Sequence, residues 1–263
     1  MRKKNSIKKI EKIFQNLLTN KKTYDIISTT KTQKEVIQKM NKIDHRRHYI
    51  IVLDTETANT LDDPFVYDIG WAVVDTHGNV YRTRSFVNSD IFDHEQDLMK
   101  SSYYAKKLPN YYADLANGIR KKANYCGIRK VLLKDIKDFS VKEIAAHNAR
   151  FDYRATATTQ RYLTKSKYRY FFPYGIEIWD TLKMANDILG KMPTYKKWCQ
   201  VNGYTYGKDR CRMTAEIIYR FISGKENFEE SHTGLEDVLI EKEILAYCYR
   251  QHKKMRKKLW ENA

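Results

Sequence analysis

A run of five apolar residues that leads directly into two carboxylates constrains this chain more than any other feature. Residues 49–53 read Tyr-Ile-Ile-Val-Leu, and residues 54–57 read Asp-Thr-Glu-Thr. The apolar run is typical of a strand that is buried on both faces. Asp54 and Glu56 are two residues apart, so on an extended chain their side chains project from the same face. We interpret them as two acids at the end of a core strand.

Two acids on one buried face repel each other, which is costly unless a cation lies between them. Oxygen-rich clusters suit Mg²⁺ or Mn²⁺, so the pair predicts a divalent metal site. The alternative is a strand that ends in a polar turn with solvated acids. An Asp-x-Glu pattern alone does not decide between the two, because such short motifs also occur by chance.

The rest of the pattern predicts an α/β fold. Strands are predicted at 65–74 and 80–87, joined by a turn at 76–79, which makes an antiparallel meander with the first strand. Two later strands, 141–147 and 176–180, are each followed by a helical segment. A meander followed by alternating strands and helices predicts a mixed sheet flanked by α-helices. Further helices are predicted over most of 90–140, at 193–202 and 213–223, and from a capping-box pattern at Thr233–Glu236 onwards.

Positive charge is concentrated at the two ends of the chain. The net charge is +17, of which residues 1–48 carry +10, residues 249–263 carry +5 and the 200 residues between them carry +2. Apolar residues spaced three and four apart predict a basic α-helical extension over 1–47, ahead of a second domain at 48–263. Basic arms on a nearly neutral body favour a nucleic-acid partner, because binding phosphates releases counterions. The simpler alternative is a solvated tail.

Composition excludes several other classes of protein. No apolar run approaches the ~20 residues that a membrane span needs, and no apolar stretch follows the basic N-terminus to make a secretory signal. The four cysteines are widely spaced, which is typical of reduced cytosolic thiols rather than a disulfide framework or a zinc site. We therefore expect a cytoplasmic protein with no membrane partner.

Three further residues are candidates to join Asp54 and Glu56. Asp152 begins the helix after the fourth strand, and Asp237 lies in the first turns of the last helix. Each acid alone is more simply structural, since a helix start favours negative charge. His232 precedes the last helix, and an imidazole pKa near ~6.5 suits removal of a proton from water. Strand ends and helix starts at one edge of a sheet can converge, which would bring these residues together.

Three segments carry a resemblance to a known family. Asp-Thr-Glu-Thr at 54–57, His-Asn-Ala-Arg-Phe-Asp at 147–152, and the pair His232 and Asp237 resemble the three motifs of the DEDDh 3′→5′ exonucleases. That family includes the proofreading epsilon subunit of bacterial DNA polymerase III and RNase T. The resemblance covers about residues 48–252. The sequence departs from it at 58–59, which read Ala-Asn where many members have Thr-Gly.

The resemblance implies a ribonuclease H-like fold and a two-metal hydrolysis that releases nucleoside 5′-monophosphates from a 3′ end, with DNA as the favoured substrate. It implies that two Mg²⁺ or Mn²⁺ ions bind Asp54, Glu56, Asp152 and Asp237, and that His232 is the general base. It also implies that Thr57, Asn148 and Phe151 contact the terminal nucleotides, which must be single-stranded or frayed.

Two alternatives stay open at this point. One is an exoribonuclease of the same fold that trims RNA, since the motifs do not distinguish the sugar and discrimination rests on contacts to the 2′-hydroxyl. The other is a non-catalytic nucleic-acid-binding protein that uses its basic arms. A polymerase or another replication protein is a further partner that the resemblance allows.

Overall fold

A computed structural model of the chain describes residues 43–103, 105–164, 170–207 and 210–261. The chain divides into two units, Met1–Asp44 and His45–Ala263, and the architecture below is that of the second unit. The helical extension predicted for 1–47 falls almost wholly outside the described residues and stays a prediction. In the described ranges, no helix combines the length and the apolar character needed to cross a bilayer.

One mixed sheet forms the centre of this unit. Its strands are β1 (Ile50–Asn59), β2 (Pro64–Val74), β3 (Val80–Asn88), β4 (Lys121–Ala123), β5 (Glu143–Ala146) and β6 (Glu177–Asp180). They lie in the order β4-β3-β2-β1-β5-β6. The pairs β1–β2 and β2–β3 are antiparallel, whereas β5 pairs in parallel with both β1 and β6. The predicted α/β class, a sheet of antiparallel and parallel strands flanked by helices, is confirmed.

Helices follow the strands in the predicted alternation. They are α1 (Ser89–Phe92), α2 (Gln96–Ser101), a 3₁₀ turn (Ala105–Lys107), α3 (Leu108–Ala116), α4 (Tyr125–Phe139), α5 (Ala149–Leu163), α6 (Thr181–Ile188), α7 (Pro193–Val201), α8 (Ala215–Ser223) and α9 (Gly234–Arg250). Two features are absent from the prediction: the short strand β4, and a hairpin of β7 (Thr205–Tyr206) and β8 (Arg210–Cys211). Strands of two or three residues are too short to show a periodic pattern.

The sequence suggested that the first strand ends at its two acids, but the strand is longer than that. It continues through Asp54 and Glu56 to Asn59, with Asp54 opposite Gly70 and Glu56 opposite Asp68 on β2. The register shifts immediately after Glu56. A bulge of this kind bends a strand and re-aims its side chains, and bulges are common next to active sites. The two acids therefore lie within a central strand rather than at its exposed end.

The basic C-terminal segment is part of the fold rather than an arm. Its backbone extends the sheet, since the Leu259 N–H donates to the Ile178 carbonyl over 2.8 Å. The Arg256 guanidinium binds the Asp187 carboxylate at 2.9 Å, and Lys258 pairs with Glu177 at 2.6 Å. Covering the edge of β6 in this way protects it from pairing with another chain.

Two glycines allow the last helix to lie directly on the sheet. A Cβ atom at Gly70 would lie 2.3 Å from the Leu235 nitrogen, and one at Gly234 would lie 2.7 Å from the Gly70 nitrogen. The backbones of α9 and β2 therefore touch, which larger residues would prevent. The Gly234 N–H also donates to the buried Asp68 carboxylate over 3.0 Å. This contact sets the start of α9 beside the acids of β1.

Candidate active site

An open cavity of about 410 Å³ lies where β1, the start of α5 and the start of α9 meet. Five of the eight residues predicted for the site line it, together with acids that the sequence analysis did not select. The predicted residues are Asp54, Glu56, Asn148, His232 and Asp237. Thr57, Phe151 and Asp152 are not among the lining residues.

The carboxylates of the site are buried close to one another. Glu56 is 8% exposed and Asp237 is 4% exposed. Burial, followed by the charge of Asp68, raises the pKa of Glu56 to about 8. Burial, followed by the charges of Glu230 and Glu56, raises the pKa of Asp237 to about 9. These shifts mean that ionising the cluster is unfavourable until a positive charge joins it.

Asp54 occupies the middle of this cluster. Burial raises its pKa well above the usual range, and the nearby carboxylates of Glu241, Asp152 and Asp237 raise it further. In the described part of the chain, none of Asp54, Glu56, Asp152, Asp237 and Glu241 takes part in an ion pair within 4.0 Å. Acids this close to one another are stable when ionised only if a cation lies among them, and carboxylate oxygens suit a divalent ion.

Asp152 lies behind the cavity and connects α5 to β1. One of its carboxylate oxygens accepts hydrogen bonds from the Thr55 N–H at 3.1 Å and the Thr55 hydroxyl at 2.8 Å. Burial raises the pKa of Asp152 to about 7, although the Thr55 hydrogen bonds lower it in part. Thr55 therefore fixes the orientation of this acid, a role that the sequence analysis did not assign.

Glu241 is a fifth acid that the sequence analysis missed. It is 3% exposed, it lines the cavity, and its carboxylate accepts the His147 N–H at 3.2 Å. Burial and the charge of Asp152 raise its pKa well above the usual range. Because it follows Asp237 by four residues on α9, both side chains lie on one face of the helix. That spacing is the signal from which it could have been found.

His232 is held in an unusual backbone conformation on the loop before α9. Its φ is +50°, a left-handed conformation that is uncommon for a residue other than glycine and is found more often at functional sites. Its Nδ1 lies 3.8 Å from a carboxylate oxygen of Glu230. Ligand atoms of Glu56, His232 and Asp237 all lie within 4.8 Å of one another, close enough to share one cation.

A lysine from the 3₁₀ turn fixes the same loop. The Lys107 ammonium donates to the backbone carbonyls of Ser231 and His232. Burial, together with the positive charge of Lys107, lowers the pKa of His232 below its usual value. The imidazole is therefore neutral at neutral pH and able to accept a proton.

The start of α9 is built differently from the capping box that the sequence suggested. The Thr233 N–H donates to Asp237 over 3.0 Å, whereas Glu236 accepts the Thr233 hydroxyl at 2.7 Å. Glu236 also binds the buried guanidinium of Arg120 at 2.8 Å, and Arg120 binds Asp68 at 3.2 Å. Asp237 is thus oriented by the backbone of its own loop, while Arg120 ties α9 to β2.

The three residues that were predicted to contact the nucleotide differ in their position relative to the cavity. Asn148 lines the cavity with a left-handed φ of +65°, and its N–H donates to Asp180 over 3.1 Å. Phe151 lies one turn later, and its N–H donates to the Asn148 carbonyl over 2.9 Å. Thr57 is half-buried on β1, beyond the register shift. Only Asn148 of the three is a lining residue.

Comparison with known proteins gives structural likenesses only. No protein-family model matches the sequence, and no curated protein matches it. Pop2p of S. pombe, in its Mg²⁺- and Mn²⁺-bound form, is 13% identical with a TM-score of 0.49, over 84% of this chain and 89% of that one. Cell-death related nuclease 4 (CRN-4) is 9% identical with a TM-score of 0.48, over 80% of this chain and 67% of that one.

A third solved structure is Exonuclease X in complex with 5′ overhanging duplex DNA. It is 14% identical with a TM-score of 0.40, over 77% of this chain and 92% of that one.

Proposed function

We propose that this protein is a metal-dependent 3′→5′ exonuclease that releases nucleoside 5′-monophosphates from the 3′ end of nucleic acid, with DNA as the favoured substrate. One observation carries the proposal. Acids of β1 and α9 line one cavity, Asp152 of α5 lies behind it, and the pKa of each is raised. Such a cluster is stable in its charged form only around a cation. The polarity, 3′ to 5′, rests on the resemblance of the three sequence motifs to those of the DEDDh 3′→5′ exonucleases.

The donor set fits hard divalent cations. The four proposed ligands are all carboxylates, and oxygen donors suit Mg²⁺ or Mn²⁺ better than a soft metal. We assign Asp54, Glu56, Asp152 and Asp237 as the ligands of two ions. When bound, these ions supply Lewis acidity at the phosphate and lower the pKa of an attacking water. Glu241 adds negative charge beside Asp54 and Asp237.

His232 takes the proton from the attacking water in this proposal. Its imidazole is neutral at neutral pH because burial and Lys107 lower its pKa. The Lys107 contacts to the loop carbonyls and the left-handed backbone restrict where the ring can move. Asn148 lines the cavity, and we propose that it contacts the terminal nucleotide. Contacts from Thr57 and Phe151 to that nucleotide are further proposals.

A digestion experiment tests the proposal. Matched single-stranded DNA, duplex DNA and RNA, labelled at either end, are incubated with the full chain in Mg²⁺, in Mn²⁺ or in chelator. We expect mononucleotides to leave the 3′ end in either metal and none in chelator, with DNA digested faster than RNA. Asp54→Asn should lose this activity and keep its fold.

Each part of the proposal has its own contrary result. Wild-type-like turnover by Asp54→Asn would contradict the proposed metal site. Faster digestion of RNA than of DNA would show that the protein is an exoribonuclease. Binding of nucleic acid without any hydrolysis would favour a purely binding function. A polymerase partner and a cytoplasmic location stay predictions of the sequence.

A further inference from the structure

We infer that the β7–β8 hairpin binds the 3′-terminal segment of a single strand, with Tyr206 stacking on an unpaired base and Arg210 contacting a phosphate. The inference rests on the proposed function and names the surface that would select its substrate. Neither residue belongs to the three sequence motifs.

The hairpin contributes both residues to the rim of the acidic cavity. Tyr206 and Arg210 line the cavity that holds Asp54, Glu56 and Asp237. The Tyr206 side chain is 54% exposed, and Arg210 is exposed. An aromatic ring open to solvent can stack on any base, because every base has a π-face. The pairing of an aromatic with a cation is the usual means of holding single strands without reading their sequence.

The hairpin is anchored firmly enough to act as a platform. The Arg212 N–H donates to the Tyr204 carbonyl over 2.9 Å, and the Tyr195 hydroxyl donates to the Arg212 carbonyl over 2.7 Å. Cys211 is buried in the core between β8 and the helices. The Arg212 guanidinium carbon lies 5.1 Å from the centre of the Tyr206 ring, a cation–π contact that holds the ring. A binding residue on a fixed support loses little freedom when it binds.

Charge explains why a cation is needed at this rim. The cavity is lined by the carboxyl groups of Asp54, Glu56, Glu230, Asp237 and Glu241, which repel a phosphodiester when they are ionised. Arg210 is the arginine among the lining residues, and its guanidinium can bind phosphate oxygens in a bidentate manner. It would offset part of that repulsion where the strand enters.

Stacking on Tyr206 selects the form of the substrate. A base inside a duplex has both faces covered by its neighbours, so it must be unstacked before it can lie on a tyrosine. A base at a single-stranded 3′ end is already available. The hairpin therefore favours single-stranded or frayed 3′ ends over blunt duplex ends.

Fluorescence binding assays test the inference. Two 12-nucleotide DNA strands carry 2-aminopurine at the terminal or at the penultimate 3′ position, and binding is measured to the full chain with Asp54→Asn, which prevents digestion. We expect quenching of at least one probe. Adding Tyr206→Ala should abolish that quenching and raise the Kd roughly 5–100-fold, whereas Tyr206→Trp should retain it.

Arg210 is tested through the salt dependence of the same binding. Arg210→Ala should reduce the slope of log K against log[salt] by about 0.7, the value for one phosphate contact on a single strand. Matched controls are Tyr174→Ala and Lys130→Ala, which remove an exposed tyrosine and an exposed cation outside the cavity lining. Neither control should change the quenching.

The outcomes separate this inference from the proposed function. Unchanged quenching and Kd in Tyr206→Ala, or no quenching with wild-type Tyr206, would overturn the role of the hairpin. Hydrolysis by the wild-type chain is measured separately and decides whether the protein is a nuclease. A nuclease with an irrelevant hairpin and a binding protein without hydrolysis therefore give different results.

Discussion

Each ionised carboxylate in the cavity lowers the stability of the metal-free protein, although the proposed metal site needs it. Glu56 and Asp237 have pKa values of about 8 and about 9, against values near ~4 in an unfolded chain. An acid whose pKa is raised by folding favours the folded state when it is protonated. Its contribution is complete below about pH 4 and is lost as the pH rises through 8 to 9. A bound cation removes this cost because it stabilises the ionised acids.

The unfolding temperature of the metal-free protein should therefore fall between pH 5 and pH 9. Asp237→Asn should flatten that dependence and raise the unfolding temperature at pH 9 by about 2–8 °C, since one buried charge is removed. Mn²⁺ should stabilise the wild type at pH 8 and leave the variant unchanged. Scanning calorimetry with and without Mn²⁺ measures both effects.

Asp62→Asn is the matched control for this experiment, because Asp62 is exposed on a loop outside the cavity. It should behave as the wild type does in both conditions. Equal stabilisation of Asp237→Asn and wild type by Mn²⁺ would show that Asp237 does not bind the metal.

His232 gives a second prediction at the level of a single residue. His232→Ala should lower turnover by about 10²–10⁴-fold, the usual loss when a general base is removed. Because the pKa of His232 is lowered, the wild-type rate should rise with pH and level off below pH 6.5. The pH–rate profile of wild type and variant is the measurement. A variant that keeps the same rate and the same profile would place the base elsewhere.

Contact between two elements, α9 and β2, determines whether the site exists. The helix supplies Asp237 and Glu241, and the strand next to β2 supplies Asp54 and Glu56. The close approach of α9 to β2 depends on Gly70 and Gly234, where a Cβ atom would collide with backbone atoms. The Arg120 network holds the same junction through Asp68 and Glu236.

Gly234→Ala should therefore push α9 away from the acids of β1. We expect a loss of about 1–3 kcal/mol in the free energy of unfolding, as for other overpacked sites, and a large loss of Mn²⁺ affinity. Denaturant unfolding and calorimetric titration with Mn²⁺ measure the two quantities in the same preparation.

Gly118→Ala serves as the control because it lowers the free energy of unfolding for a different reason. Gly118 has a φ of +69° and open space around its Cβ position. Alanine there should cost about 1–2 kcal/mol through backbone strain, with Mn²⁺ affinity unchanged. Equal Mn²⁺ affinity in both variants would mean that the helix position does not control the metal site.

Across the whole chain, positive charge is concentrated in the first 48 residues. Residues 1–48 carry +10 of the net charge of +17. Arg47 belongs to the second unit, where it pairs with Asp75 at 3.1 Å. The basic residues at the C-terminus are partly paired as well, since Arg256 and Lys258 bind acids of the body. This leaves residues 1–44 as the main source of charge for long-range attraction to a polyanion.

Deletion of residues 1–44 should weaken binding to single-stranded DNA and flatten its dependence on salt, because fewer phosphates are neutralised. Turnover at saturating substrate should be retained, since the acids and His232 lie in the second unit. Binding titrations at several salt concentrations test this. Identical slopes for the deletion and the full chain would show that the segment does not contact phosphates.

The sequence by itself predicted β1, β2, β3, β5 and β6, the acids of β1 and the three motifs. Alternation in a strand has a period of two, so Asp54 and Glu56 share a face whatever the fold around them. Helix and strand periods likewise located most elements to within a few residues, because they depend on neighbours along the chain.

Contacts between distant residues were decided only by the tertiary structure. Glu241 joins the site because α9 lies directly on β2, and Tyr206 joins it because the short hairpin meets the cavity. The basic C-terminal segment is not a free arm, because Arg256 and Lys258 pair with acids of α6 and β6. Such outcomes depend on which surfaces pack together, and no local period in the sequence encodes that choice.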